Sequence, residues 1–200
     1  MREDLSILGI IPARGGSRRL PGKNIRKLLG MSLLERTIRQ AKQALPDCIV
    51  STEDAKIMAE ARRCGISVLE RPAWLATADA PSGGLVRHAL NANPGFEWFC
   101  LLQVTSPLRT AEDIACCIEL AVAAGRPVVS TACGKPNGAV YIGKSLAFSG
   151  DFTKGAIAYE MPLARSVDID TLDDWNEAER RLLELNENNL ELNENKIRTA

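Results

Sequence analysis

A short apolar run at residues 7–11 leads straight into Pro-Ala-Arg-Gly-Gly-Ser-Arg-Arg-Leu-Pro-Gly-Lys-Asn, residues 12–24. Three glycines, two prolines and four basic side chains share this loop. Glycine lets backbone N–H groups face an anion with no Cβ in the way. Arginine grips phosphate bidentately, and lysine adds a point charge. Arg14, Gly15, Gly16 and Lys23 therefore form a candidate polyphosphate cradle, and a flexible basic loop is the plain alternative. The spacing matches neither a Walker loop nor the dinucleotide G-x-G-x-x-G pattern. Far along the chain, Ser166-Val167-Asp168-Ile169-Asp170 puts two carboxylates on one face of an extended segment. Two such carboxylates repel unless a cation lies between them, and Mg²⁺ is the hard cation that also takes phosphate oxygens. A solvated strand end is the equal alternative. A third stretch, Leu101-Leu102-Gln103-Val104-Thr105-Ser106-Pro107-Leu108-Arg109, ends a buried strand in polar groups, where the Gln103 amide can reach a substrate or loop backbone.

The elements that must position these groups follow from periodicity. Runs at 7–11, 48–52, 67–69, 98–103, 128–131 and 139–142 read as strands. Residues 32–45, 53–63, 81–91 and 111–124 read as helices, and Thr171 with Asp174 caps a last one. Strands alternating with helices predict an α/β fold, a mostly parallel sheet with helices on both faces. In such sheets ligands sit beyond the carboxyl ends of the strands, where all three polar stretches fall.

Composition narrows the function class. A 200-residue chain suffices for one sizeable domain, and a formal net charge of zero gives no long-range pull toward nucleic acid or membrane. Anion binding must then come from local clustering. The first ten residues are too acidic and too briefly apolar for a secretory signal, and no apolar run matches a membrane span, so the expected location is cytoplasmic. The six cysteines make no C-x-x-C pair and read as reduced, buried small hydrophobes. His88, the single histidine, reads as packing or surface. Glu184-Leu-Asn-Glu-Asn188 recurs as Glu191-Leu-Asn-Glu-Asn195. We therefore expect a domain over 1–182 and a polar helix or tail over 183–200.

The ordered set of the opening loop, 49–54, Arg71-Pro72-Ala73 through Ser82, the 101–110 stretch, Asn137-Gly138-Ala139-Val140-Tyr141-Ile142 and Ser166 to Asp170 resembles the acylneuraminate cytidylyltransferases, the CMP-sialic acid synthetases. The resemblance runs to about Arg181. It implies a Rossmann-like nucleotidyltransferase fold and transfer of CMP from CTP to the anomeric hydroxyl of a nonulosonic acid, with pyrophosphate released. It implies that Arg14 and Lys23 hold phosphates. Gly15, Gly16, Ser17, Asn24, Arg71, Ser82 and Gln103 join the substrate-binding set, and Asp168 and Asp170 bind Mg²⁺. The nearest enzyme alternative acts on the eight-carbon acid KDO. A nucleotide-binding relative that has lost catalysis is the alternative from another class.

Two departures stand out. Trp74, Ala78 and Pro81 occupy positions that are commonly acidic or small in the family. More seriously, the family carries a long excursion near 131–136, which supplies an arm swapped across a dimer and basic groups for the sugar carboxylate. Here that excursion is absent. The resemblance leaves a homodimer open, but the usual swapped arm is missing. Either the sugar site is rebuilt from Lys135, Arg165 and a partner, or sugar affinity is poor, or the chain is degenerate.

Overall fold

The run Ile7–Pro12 forms β1, an interior strand with both of its faces covered. The computed structural model describes residues 6–198, with side chains described through residue 187. After β1 come a two-strand ribbon, β2 (Lys27–Leu28) and β3 (Met31–Ser32), then α1 (Leu33–Ala44), β4 (Asp47–Thr52), α2 (Ala55–Arg63) and β5 (Ser67–Glu70). They are followed by α3 (Ser82–Ala92), β6 (Trp98–Leu102), α4 (Ala111–Ala124), β7 (Val128–Ala132), β8 (Lys135–Lys144), β9 (Ile157–Glu160) and α5 (Leu172–Arg198).

The main sheet has the order β5-β4-β1-β6-β8-β7-β9. All its pairings are parallel except those of β8, which runs antiparallel to both β6 and β7. Alternation sorts the side chains. Ile7 and Ile11 of β1 join Trp98, Cys100 and Leu102 of β6 under α1, α2, α4 and α5. Leu8, Ile10, Phe99 and Leu101 face Leu85, Val86 and Ala89 of α3, with Phe148 and Phe152 packed alongside. This is the expected α/β layering with helices on both faces.

The capping residues set the helix starts. Ser32 accepts from the Glu35 N–H at 3.0 Å, and Asp54 accepts from Lys56 and Ile57, so α2 begins two residues later than the expected 53. Thr110 and Asp113 form a capping box on α4, and Gly125 closes it with φ 62°. Thr171 and Asp174 exchange the same pair of bonds at the start of α5. That helix runs unbroken through the expected boundary at 182–183. From residue 188 the repeat lies outside the described side chains, and residues 1–5 and 199–200 lie outside the described structure.

Three features differ from expectation. The β2–β3 ribbon and β9 are too short to leave a periodic signal. β8 starts at Lys135 rather than 139, because β7 and β8 are joined by a two-residue turn, Cys133 (φ 50°) and Gly134 (φ 72°). Two positive φ angles make the tight hairpin turn that fits the twist of its strands. All six cysteines are free thiols, but only Cys100 and Cys117 are fully buried, and Cys133 is exposed in that turn. No helix among the described residues is long and apolar enough to cross a membrane.

Candidate active site

A cleft of about 430 Å³ opens at the carboxyl ends of β1 and β6. Arg14, Ser17, Lys23, Asn24, Arg71, Ser82, Gln103, Asp168 and Asp170 all line it. Arg18 and Arg19 line it too, so five cations face two carboxylates in a chain of zero net charge. Local clustering supplies the field that overall charge does not. Pro12, Leu75, Leu85 and Val104 add apolar wall.

The opening loop is fixed by what it touches. Ala13 N–H donates to Ser51 O at 3.0 Å, holding the end of β1 against β4. Asn24, nearly buried, donates from Nδ2 to Arg14 O at 2.9 Å and so braces the loop from within. Gly15 corrects the cradle expectation: its N–H donates to Glu53 Oε1 at 2.8 Å, and a Cβ there would lie 2.3 Å from Asp54 Oδ2. Glycine is needed at this position for close approach to the α2 cap. Neither Gly15 nor Gly16 lines the cleft, and Gly16 has open space around it. In this conformation the cradle is made of side chains, because the Gly15 donor is already taken.

The aspartate segment belongs to no strand, and its neighbours place it. Ile169, fully buried, donates its N–H to Thr105 O at 2.8 Å. Asn137 bridges three elements: its Oδ1 accepts from Ser130 Oγ at 2.6 Å and Ala139 N at 3.2 Å, and its Nδ2 donates to Ser166 Oγ at 3.1 Å. Gly138, beside Asp168, takes a positive φ of 79° that favours glycine. Lys23 Nζ then crosses the cleft to Ile169 O at 2.6 Å and Asp170 Oδ1 at 2.9 Å. The basic loop and the distant aspartates thus meet directly. Arg19 Nη2 takes the other Asp170 oxygen at 2.6 Å.

The two carboxyls are driven apart. Water still reaches Asp168, yet the surrounding cleft walls, ahead of the Asp170 charge, push its carboxyl above the usual range. Burial also acts upward on Asp170, but Lys23 and Arg19 outweigh it and hold the carboxyl below the usual range. Asp168 makes no ion pair among the described residues. Two hard oxygen donors beside a phosphate-sized cationic cleft suit Mg²⁺, which takes one or two carboxylates and completes its shell from phosphate and water. The residues present therefore fit a divalent cation. A second acidic group, Glu35 with Glu60 and Cys64, lies away from the cleft, and Arg39 and Arg63 engage its carboxylates.

Arg71 is buried, donates from Nη2 to Ser51 O at 2.6 Å, and burial lowers its pKa. Ser82 opens α3 and is exposed at the rim. Gln103 follows the last residue of β6. Sequence reasoning missed the group behind it. Arg109 is fully buried, donates to Gln103 O at 3.1 Å and Ala139 O at 2.7 Å, and burial pushes its pKa down to about 10. It ties the end of β6 to β8. An arginine two residues after Ser-Pro was its only signal. His88 sits half-buried on α3, outside the cleft lining.

The two cations proposed to rebuild a sugar site do not reach the cleft. Lys135 is exposed at the β7–β8 turn. Arg165 is committed to the buried Asp113, with Nη2 on Oδ1 at 2.6 Å and Nε on Oδ2 at 3.2 Å.

A sequence profile of the cytidylyltransferase family matches residues 8–135 and stops at the β7–β8 turn. An N-acylneuraminate cytidylyltransferase of Escherichia coli is 40% identical over 116 residues, 57% of this chain and 28% of its own length. A CMP-N,N'-diacetyllegionaminic acid synthase of Legionella pneumophila is 31% identical over 235 residues, 92% of this chain and 98% of its own. That alignment is longer than this 200-residue chain, so the Legionella protein carries a stretch with no counterpart here. The chain thus spans under a third of one relative and nearly all of the other. Among solved structures, a CMP-2-keto-3-deoxy-manno-octonic acid synthetase complexed with CTP superposes with a TM-score of 0.69 at 14% identity, covering 91% of this chain and 99% of its own. A Mycobacterium tuberculosis H37Rv protein solved with manganese superposes at 0.64 and 19% identity, covering 90% and 98%. These structures share the Rossmann-like nucleotidyltransferase fold. The chain belongs to the cytidylyltransferase family of nucleotidyltransferase enzymes.

Proposed function

We infer that this protein transfers CMP from CTP to the anomeric hydroxyl of a nonulosonic, sialic-type acid and releases pyrophosphate. The observation that carries the reading is the meeting of the 14–24 loop with Asp168 and Asp170 in one cleft, bridged by Lys23. Phosphoryl and nucleotidyl transfer ask little covalent work of a protein, and positioning and charge neutralisation dominate. Arg14 and Lys23 gather the β- and γ-phosphates and offset charge on the departing pyrophosphate. Arg71 and Ser82, which line the same cleft, receive the nucleoside. Gln103, held at the sheet end through Arg109, faces the acceptor. Asp168 and Asp170 would hold Mg²⁺, which when bound lowers the acceptor hydroxyl's pKa and screens the α-phosphate. The proposed compartment is the cytoplasm, with no nucleic-acid or membrane partner. Any homodimer forms without the usual arm.

The choice of acid rests on relatives named for acylneuraminate and for diacetyllegionaminate. One observation favours a second reading. The two-residue turn and the commitment of Arg165 to Asp113 keep both Lys135 and Arg165 out of the cleft lining among the described residues. That suits a nucleotide-binding relative with weakened catalysis. Pyrophosphate release from CTP with Mg²⁺, measured against N-acetylneuraminate, diacetyllegionaminate and KDO, separates the cases. Turnover with either of the first two supports the proposal, and turnover with KDO alone moves the substrate to the octulosonate. A CTP-dependent rise in melting temperature with no turnover on any acid supports the weakened relative.

A further inference from the structure

Asp170 has both carboxylate oxygens covered, one by Lys23 at 2.9 Å and the other by Arg19 at 2.6 Å. The carboxylate keeps lone pairs for a metal, but a dication on Asp170 would sit against both cations, and releasing one of them relieves that repulsion. The two are held unequally. The Lys23 side chain is 11% exposed and also donates to Ile169 O at 2.6 Å. The Arg19 side chain is 64% exposed and makes no other hydrogen bond or ion pair among the described residues. An exposed ion pair contributes little, so Arg19 is the one that leaves. Leu20 beside it is buried in the core, so the movement belongs to the long, exposed Arg19 side chain and not to the loop backbone. Arg19 also lines the same cleft as Arg14 and Arg18. A guanidinium left beside an arriving dication would be repelled, whereas the same group moved onto a triphosphate would be attracted.

We propose that Arg19 is a travelling substrate-binding cation. In the empty cleft it neutralises Asp170. When a divalent ion takes Asp170, Arg19 passes to the nucleotide's phosphates. The cost of freeing it is then met once for two ligands, so metal and CTP each raise the other's affinity. This deepens the cytidylyltransferase reading and rests on it.

The test is calorimetric titration of the whole protein with Mn²⁺ alone, CTP alone, and CTP in saturating Mn²⁺, with no sugar acid present. Arg19→Ala should bind Mn²⁺ alone about three- to fivefold tighter, because the competitor is gone. With Mn²⁺ saturating, the same variant should bind CTP about tenfold weaker, because a charged phosphate contact is lost. Arg19→Lys should fall between wild type and Arg19→Ala in both. A residue that merely steadied Asp170 would, once removed, leave Mn²⁺ binding unchanged or weaker, and that result overturns the proposal. CTP binding in saturating Mn²⁺ that is unchanged by Arg19→Ala also overturns it while leaving the enzyme reading intact. Failure of the wild type to bind CTP with or without Mn²⁺ overturns both.

Discussion

The phosphate side of the cleft and the side next to the β7–β8 turn are built to different standards. On the first, five cations from two separate stretches converge, and buried contacts of Asn24, Ile169 and Arg109 fix the segments that line the cleft. On the second, the chain turns in two residues, Lys135 points into solvent, and Arg165 serves a buried carboxylate. Each basic group near a cleft must be read by its partner before it is read by its charge. Arg165 and Lys23 both sit in ion pairs, yet Arg165 pairs with a fully buried carboxylate that would be stranded without it. Lys23 pairs with Asp170 on the cleft wall, where substrate can compete.

The comparison can be broken most strongly on the phosphate side. Asp168→Asn should lower turnover by about a hundredfold or more with the melting temperature unchanged, measured by pyrophosphate release. Unaltered turnover removes the carboxylate from the reaction. On the other side, Arg165→Met should cost about 2–3 kcal/mol of stability by leaving Asp113 buried and unpaired, with the KM for the acid unchanged. A raised KM with unchanged stability would return Arg165 to the sugar site. The same pair sets a pH dependence. Burial raises the Asp113 carboxyl, but Arg165 and Thr110 more than offset this and leave it below its usual range. Its stabilisation is therefore fully present above the unfolded value, about 3.9, and is lost as pH falls through the lower folded value. Acid melting curves of Arg165→Met should show less of that loss than the wild type.

Smaller effects sharpen the reading of the loop. Gly15→Ala should cost about 1–2 kcal/mol, because its Cβ collides with the Asp54 cap of α2, whereas Gly16→Ala should be neutral within about 0.5 kcal/mol. Equal effects at the two glycines would contradict the assignment of Gly15 to packing. Smallest of all, Cys133→Gly should stabilise by about 0.5 kcal/mol by relieving a side chain held at φ 50°, read from denaturant midpoints.

Much of this was legible in the residues. Strands such as Ile7–Pro12 and Trp98–Leu102 announce themselves because burial on both faces demands continuous apolar runs. Nine of the eleven expected site residues line one cleft because strand ends, glycine turns and isolated acidic pairs have few other reasons to exist together. The role of Gly15 was not legible. Its constraint comes from Asp54, and a glycine that avoids a side chain looks the same in sequence as one that greets a phosphate. Arg109 and Arg165 were missed or misread for a related reason. An arginine's partner 30 or 52 residues away leaves no local mark. β9, half-exposed and four residues long, has too little periodicity to stand out.

The most direct test of the central claim is a crystal structure with CTP and a divalent ion. The account predicts the triphosphate within hydrogen-bond reach of Arg14 and Lys23, the nucleoside between Arg71 and Ser82, and the ion on Asp168. A triphosphate bound out of reach of Arg14 and Lys23, or an ion bound away from Asp168, would contradict it.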